Sequence, residues 1–483
     1  MMPRFVGFIG PTYSLPSLNA DCQRAVNLYP ELDETGQGNE REVASFASAP
    51  GISALLTLST TPIRGAYEAS NGTLYAVAGN KLYSISSTWV ATSLGTLSTS
   101  SGQVSMADDG FNLIIVDGTY GYDWNFSGAT FTVISDPNFY ASDFVAYIDS
   151  YFIFNKNGTQ TFYISSLPSG TATDNIAFSG DVASAEGSPD NLIALMAVHR
   201  DLWLFGDSST EVWFDSGANS FPFEQIQGAF IEYGCAAKWS AAKLANTVFW
   251  LGKDEHGQGV VVMANGYQPQ RISNHAVEFA LQSYSTIADA VAWTYQENGH
   301  SFYVLNFPTA DATWVYDTTT NMWHERAYTS NGVLHRHRGF CHAFAYETHV
   351  VGDWQNGKLY KLSTSLFDDD GAPMTRMRVS PHLSKDMTRI FYSDFQLDME
   401  AGVGIDGSGQ GTDPQAILQF SNDGGHTWSN EKWASMGKIG QTKWRAIWRR
   451  LGQARDRVFK VTITEPVKVR LIGAELNFEQ GIS

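Results

Sequence analysis

From Ile63 to Ser363 one kind of unit returns seven times. Each unit is a run of short apolar strands parted by Gly, Asn or Asp turns. Gly72 to Ser86, GTLYAVAGNKLYSIS, shows it best. Leu74, Ala76 and Ala78 fall on one face of its first run, and Tyr75 and Val77 on the other. A period of two broken at Gly79-Asn80 predicts a β-hairpin. One hairpin is marginal in water, so the repetition decides the fold. The units span 63–97, 103–135, 144–180, 192–228, 239–273, 290–328 and 339–363. Six hold four candidate strands each. The seventh has GFCHAFAYE, HVVGDW and KLYKLS and lacks a clear fourth.

Seven sequential four-stranded meanders predict a β-propeller. A blade cannot bury both its faces alone, and radial packing covers them. Stacked sandwiches also give short strands at this spacing, but the fourfold grouping favours the propeller. The missing strand has two candidate sources, residues 40–60 and MTRMRVS at 374–380. A helix is expected at Asn274 to Tyr284, where Val277, Ala280, Leu281 and Tyr284 share a face and Ser273 or Asn274 caps the start.

The remaining chain divides around this array. Residues 1–60 read as an extended arm that either completes a C-terminal platform or closes the propeller. The propeller takes 61–366, and 367–373 (with DDDGAP) is a turn-rich, solvated linker. Residues 374–483 form a second domain, read as a β-sandwich with strands at 389–402, 415–423, 444–451, 457–465 and 467–479. The whole is all-β.

Charge separates the same parts. The chain carries 31 Lys+Arg and 49 Asp+Glu, net −18. Residues 374–483 hold 15 basic and 12 acidic residues, +3, leaving 16 − 37 = −21 for the rest. Such a body repels DNA rather than grips it. Cys22, Cys235 and Cys341 suggest no disulfide framework and fit a reducing compartment. Neither a secretory leader nor a membrane-spanning run is expected.

Three motifs stand out. SNDGGHTW contains an Asp-box: Ser421, Asp423, Gly425, Thr427 and Trp428. Its carboxylate braces a hairpin turn. Such boxes recur in sialidase propellers, so the alternative function is a glycosidase or carbohydrate-binding propeller acting on cell-surface glycans. A single box outside the repeats argues against it. WRAIWRRLGQARDRV brings together Trp444, Arg445, Trp448, Arg449, Arg450, Arg455 and Arg457, the residue types that anchor protein interfaces. These are read as a subunit interface. LHRHRGFCH places His335, His337, Cys341 and His342 close in sequence, at no zinc spacing, and reads as a solvated loop. Asp368 to Asp370 lack a calcium-loop pattern. No catalytic, cofactor or metal residue is expected.

DGGHTWSNEKWASMGKIG, followed by TKWRAIWRRLGQARDRVFKVTITEPVKVRLIGAE, resembles the end of the packaged-DNA stabilisation family of short-tailed phages, the tail hub or nozzle proteins. RAVNLYPE, with Asn27, Leu28, Tyr29, Pro30 and Glu31, is similar to their start. The resemblance implies a non-enzymatic virion protein assembled in the bacterial cytoplasm. It implies a ring, generally of six subunits, below the portal and adaptor. That ring continues the DNA channel, helps retain packaged DNA without sequence-specific binding, and docks tailspikes or fibres and a needle or plug.

Overall fold

The computed structural model describes residues 4–32, 43–167, 176–219, 221–253, 257–386 and 388–481. Among the described residues, seven four-stranded units follow one another in a ring. Blade 1 runs Ile63–Glu68, Leu74–Ala78, Lys81–Ile85, Ala91–Thr96. Blades 2 to 6 begin at Ser105–Asp108, Val145–Ile148, Leu192–Val198, Ala242–Leu244 and Val291–Glu297. Blade 7 holds Gly339–Ala345, Thr348–Asp353 and Gly357–Ser363, and its fourth strand is Gly51–Ser59, antiparallel to Gly357–Ser363. The first strand of blade 7 packs against that of blade 1, so the ring is closed by the chain's own start.

The opening hairpin shows why these strands are apolar on both faces. Leu74, Ala76 and Ala78 pack with Ala343, Val350 and Leu359 of blade 7. Tyr75 and Val77 pack with Leu113, Ile115, Tyr122 and Trp124 of blade 2. The turn places Gly79 at φ +54, and a Cβ there would stand 2.4 Å from Thr61 Oγ1. The expected helix is His275–Ser283, with the Asn274 side chain capping Val277 N. Blade 3 departs from expectation. Its fourth strand is Val182–Ser184, paired with Thr161–Tyr163, not 177–180. Phe178 instead fills the space between Phe139, Phe154 and Tyr163.

The C-terminal domain, with strands from the N-terminal arm, is a β-sandwich of two sheets. One is ordered Leu28–Leu32, Val43–Ser48, Arg470–Gln480, Ile390–Met399, Ala446–Ala454. The other is ordered Cys22–Val26, Arg376–Val379, Asp456–Ile463, Gln415–Ser421, Lys432–Ser435. Phe395, Leu418, Trp448, Phe459, Val461 and Leu476 fill the space between them. MTRMRVS therefore supplies a sandwich strand. The second sheet does not end at the domain border. Cys22–Val26 also pairs, in parallel, with the last strand of blade 6, Met322–Glu325, through Val26 and Glu325. One hydrogen-bonded sheet thus runs from propeller into sandwich.

The DDDGAP segment is only partly solvated. Asp369 is buried. Ile52 N donates to Asp368 O at 3.1 Å, and Asp370 N donates to Ile52 O at 2.7 Å. Asp370 also takes Ala54 N at 3.0 Å and Lys358 Nζ at 2.7 Å. The closing strand needs a partner on its second edge, and this segment is that partner. Among the described residues no helix is long and apolar enough to cross a membrane.

Candidate functional site at the propeller–sandwich seam

Asn27 sits between two strands that belong to different sheets, at φ +53, a conformation that suits asparagine better than most residues. Its amide Nδ2 donates to Ala327 O at 2.8 Å and to Thr375 O at 2.9 Å. Its Oδ1 accepts Ala327 N at 3.0 Å. Its main-chain N–H reaches Glu325 O at 2.9 Å, and its carbonyl accepts Ala49 N at 3.0 Å. One side chain and its peptide therefore join blade 6, the sandwich and the strand that closes the propeller. Around it, Leu28 enters the sandwich core, and Tyr29 packs edge-on to Phe302 and His300 of blade 6. Pro30 is buried within the strand, and Glu31 pairs with Arg470. Arg24 forks onto Glu325 at 2.8 and 2.6 Å.

The Asp-box lies next to the arm. Ser421 Oγ donates to Asp423 Oδ1 at 2.6 Å, Thr427 N to the same oxygen at 2.9 Å, and Thr427 Oγ1 to Oδ2 at 2.5 Å. These bonds, that from Ser421 foremost, hold the Asp423 carboxyl well below the usual carboxylate range. Gly424 and Gly425 supply positive φ. A Cβ on Gly424 would meet Asn19, and one on Gly425 would lie 3.4 Å from Cys22 Sγ. Trp428 packs beside Cys22, Val26 and Ala327, with Lys460 Nζ 4.3 Å above its ring. The box is a structural clasp between sandwich and arm.

His382 fastens the same corner. Its Nδ1 lies 2.8 Å from Asp456 Oδ2 and its Nε2 2.8 Å from Leu18 O, with Cys22 Sγ at 3.7 Å. Cys22 and then the Asp456 carboxylate push the imidazole up to about 9. Both ring nitrogens then donate. No sequence motif marked this residue. Its partners are 360 and 74 positions away in the chain.

The arginine–tryptophan set is divided by the fold. Trp448 is 4% exposed and Arg457 1% exposed. Both lie inside the monomer, so their assignment to a subunit surface is corrected. Trp448 packs against Phe395 and donates to Lys432 O at 2.7 Å. Arg457 donates to Leu451 O at 2.7 Å, Gln453 O at 3.2 Å and Asn422 Oδ1 of the Asp-box turn at 2.8 Å, beneath the Phe420 and Tyr392 rings. Burial lowers its guanidinium to about 10, still charged at neutral pH. Arg376 and Arg378 are buried in the same way. Arg376 ties Ser48, Phe367 and Glu465, and Arg378 ties Phe8 and Gln23. Trp444, Arg445, Arg449, Arg450 and Arg455 remain on the surface. Arg449 and Arg450 border a groove of about 640 Å³ with Phe391 and Asp394.

The histidines of LHRHRGFCH do not converge. His335 faces Asp311 at 2.7 Å. His337 is buried beside Arg326, a correction to the solvated-loop reading. His342 pairs with His349 at 3.0 Å, lining a cavity of about 670 Å³ on the propeller axis with Glu68, Lys243, Gln296 and Phe344. No group of three or more metal-binding side chains occurs among the described residues.

A family model described as bacteriophage P22 Gp10, β-propeller, matches residues 22–366. Its companion, bacteriophage P22 Gp10, β-sandwich, matches residues 375–479. The chain belongs to the P22 Gp10 family. That makes it a structural protein of the phage tail, of the hub and stabilisation type, and a component of the virion. The Gp10 propeller match opens at Cys22, the first residue of the strand that joins the two domains. No curated protein matches the sequence. Matches among solved structures include the WD40 β-propeller domain of Doa1, at 10% identity and TM-score 0.39, over 65% of this chain and 96% of that one. The extracellular domain of BT4673 from B. thetaiotaomicron matches at 9% identity and TM-score 0.44, over 82% of this chain and 48% of that one. The N-terminal domain of Nup159 matches at 8% identity and TM-score 0.39, over 70% and 98%.

Proposed function

We propose that this Gp10-family protein forms the wall of the tail nozzle, a homo-oligomeric ring of six subunits seated below the portal and adaptor. The ring extends the DNA channel, helps keep packaged DNA inside, and carries docking faces for spikes or fibres and for a needle or plug. The observation that carries this reading is the match of both domains to one tail family. The continuous sheet through Cys22–Val26 adds to it, since a wall under DNA pressure needs domains that do not swing. The acidic body, net −21 outside residues 374–483, favours passage of DNA over binding. Within the sandwich, the exposed residues Trp444, Arg445, Arg449, Arg450 and Arg455 are assigned to subunit contact.

Particles assembled without this chain test the proposal. Heads that package DNA but lose it, and regain retention when the chain is supplied, support it. Heads that retain DNA in its absence contradict it.

A further inference from the structure

The chain carries two charge extremes that the fold sets far apart. Residues 432–445, KWASMGKIGQTKWR, contain Lys432, Lys438, Lys443 and Arg445 and no acidic residue. Residues 101–232, which span blades 2 to 4, contain 2 Lys+Arg and 17 Asp+Glu, a net charge of 2 − 17 = −15.

The basic segment is also apolar and open. Trp433 is 56% exposed, Ile439 60% and Trp444 46%. Lys432–Ser435 is the outermost strand of its sheet, five places from blade 6. The loop that leaves it folds back, with Trp444 Nε1 on Ser435 O at 2.9 Å. Ile405 is exposed beside it, since Gly404 abuts the Ile439 main chain. Two tryptophans and two isoleucines within a basic rim are the makings of an anchor patch.

The acidic sector offers the complementary face. At its outer rim Glu186, Glu224 and Glu232 are exposed, beside exposed Val182, Phe214 and Phe230. The sandwich is joined to blade 6. The acidic sector is centred on blade 3, three steps away one way round the ring and four the other. Among the described residues no strand pairing joins the two faces within one chain, which leaves them free to meet between chains. A contact of this kind is heterologous and propagates around a ring.

We infer that the strap 432–445 of one subunit docks on the acidic rim of blades 3 and 4 of a second copy. This rests on the ring reading above and names its joint. Trp433, Ile439 and Trp444 supply the apolar centre, against Val182, Phe214 and Phe230. Lys438, Lys443 and Arg445 face Glu186, Glu224 and Glu232.

Two charge-reversed full-length chains test it. The strap variant carries Lys438→Glu, Lys443→Glu and Arg445→Glu, and the rim variant carries Glu186→Lys, Glu224→Lys and Glu232→Lys. All six positions are exposed, and circular dichroism with thermal melting checks each fold. Self-association is read by sedimentation velocity, alone and on a portal–adaptor complex. Each variant alone associates about a hundredfold more weakly than the wild type or less, because like charges meet. Mixed, the two reassemble into alternating rings. A strap variant that assembles as the wild type does overturns the inference, as do folded variants that fail to reassemble when mixed. Intact rings that instead lose DNA retention also overturn it, and assign the strap to DNA. A wild type that forms no oligomer in either setting defeats the ring reading itself.

Discussion

The side-chain amide of Asn27 pairs with the main chain of Ala327 as a neighbouring strand would. Nδ2 donates to the Ala327 carbonyl at 2.8 Å, and Oδ1 accepts the Ala327 N–H at 3.0 Å. Two positions 300 residues apart in sequence are thus joined where propeller meets sandwich. Asn27→Ala leaves Ala327 and Thr375 with buried, unpaired main-chain groups and costs about 3 kcal/mol. The loss is read as a lower urea midpoint. If the domains unfold together in the wild type, the variant separates them into two transitions. An unchanged midpoint contradicts the role given to this residue.

Trp448→Ala opens a cavity in the sandwich core and lowers stability by about 3–5 kcal/mol, measurable by urea unfolding of the monomer. Trp444→Ala, at an exposed ring, changes stability by about 0.5 kcal/mol or less and acts on association instead. Equal effects on folding would contradict the division of the two tryptophans.

Arg457→Lys removes the fork that serves Asn422, Leu451 and Gln453. A lysine offers one compact ammonium in its place, and the cost is about 2–3 kcal/mol. The Asp-box turn, held by Asn422, loosens with it. Faster amide exchange at Ser421 to Trp428 is the expected signature, and unchanged exchange there opposes the coupling.

His382 makes stability depend on alkaline pH. Its folded value of about 9 lies above the unfolded value of about 6.5. The contribution is therefore complete below about pH 6.5 and is lost as pH rises through about 9. Melting temperature falls across that window in the wild type, and the fall is smaller in His382→Gln. Identical pH profiles for the two proteins would rule this out.

The blades were legible because their inner strands are covered on both faces by neighbouring blades, so apolar residues sit at every position there and turns mark the units. Leu74–Ala78 is the clearest example, buried at every residue. The split of the arm was not legible in advance. Cys22–Val26 and Gly51–Ser59 pair with partners about 300 residues or more away, and Leu28–Leu32 joins its sheet through Val43–Ser48, which pairs with Arg470–Gln480; no local pattern announces that. Residues Trp444, Ala446 and Trp448 share a face only in an uninterrupted strand. The strand begins at Ala446, so Trp444 stays outside while Trp448 enters the core. Arg457 reads as an interface residue, yet like Arg376 and Arg378 it is satisfied by main-chain carbonyls in the interior. His382 had no signal, because Cys22 and Asp456 reach it only through the fold.

Negative-stain imaging of the purified chain mixed with a portal–adaptor complex tests the central claim most directly. The account predicts a closed ring beneath the portal, with its opening on the portal axis and two lobes per subunit in a fixed relation. A chain that stays monomeric and leaves the portal–adaptor complex bare would contradict it.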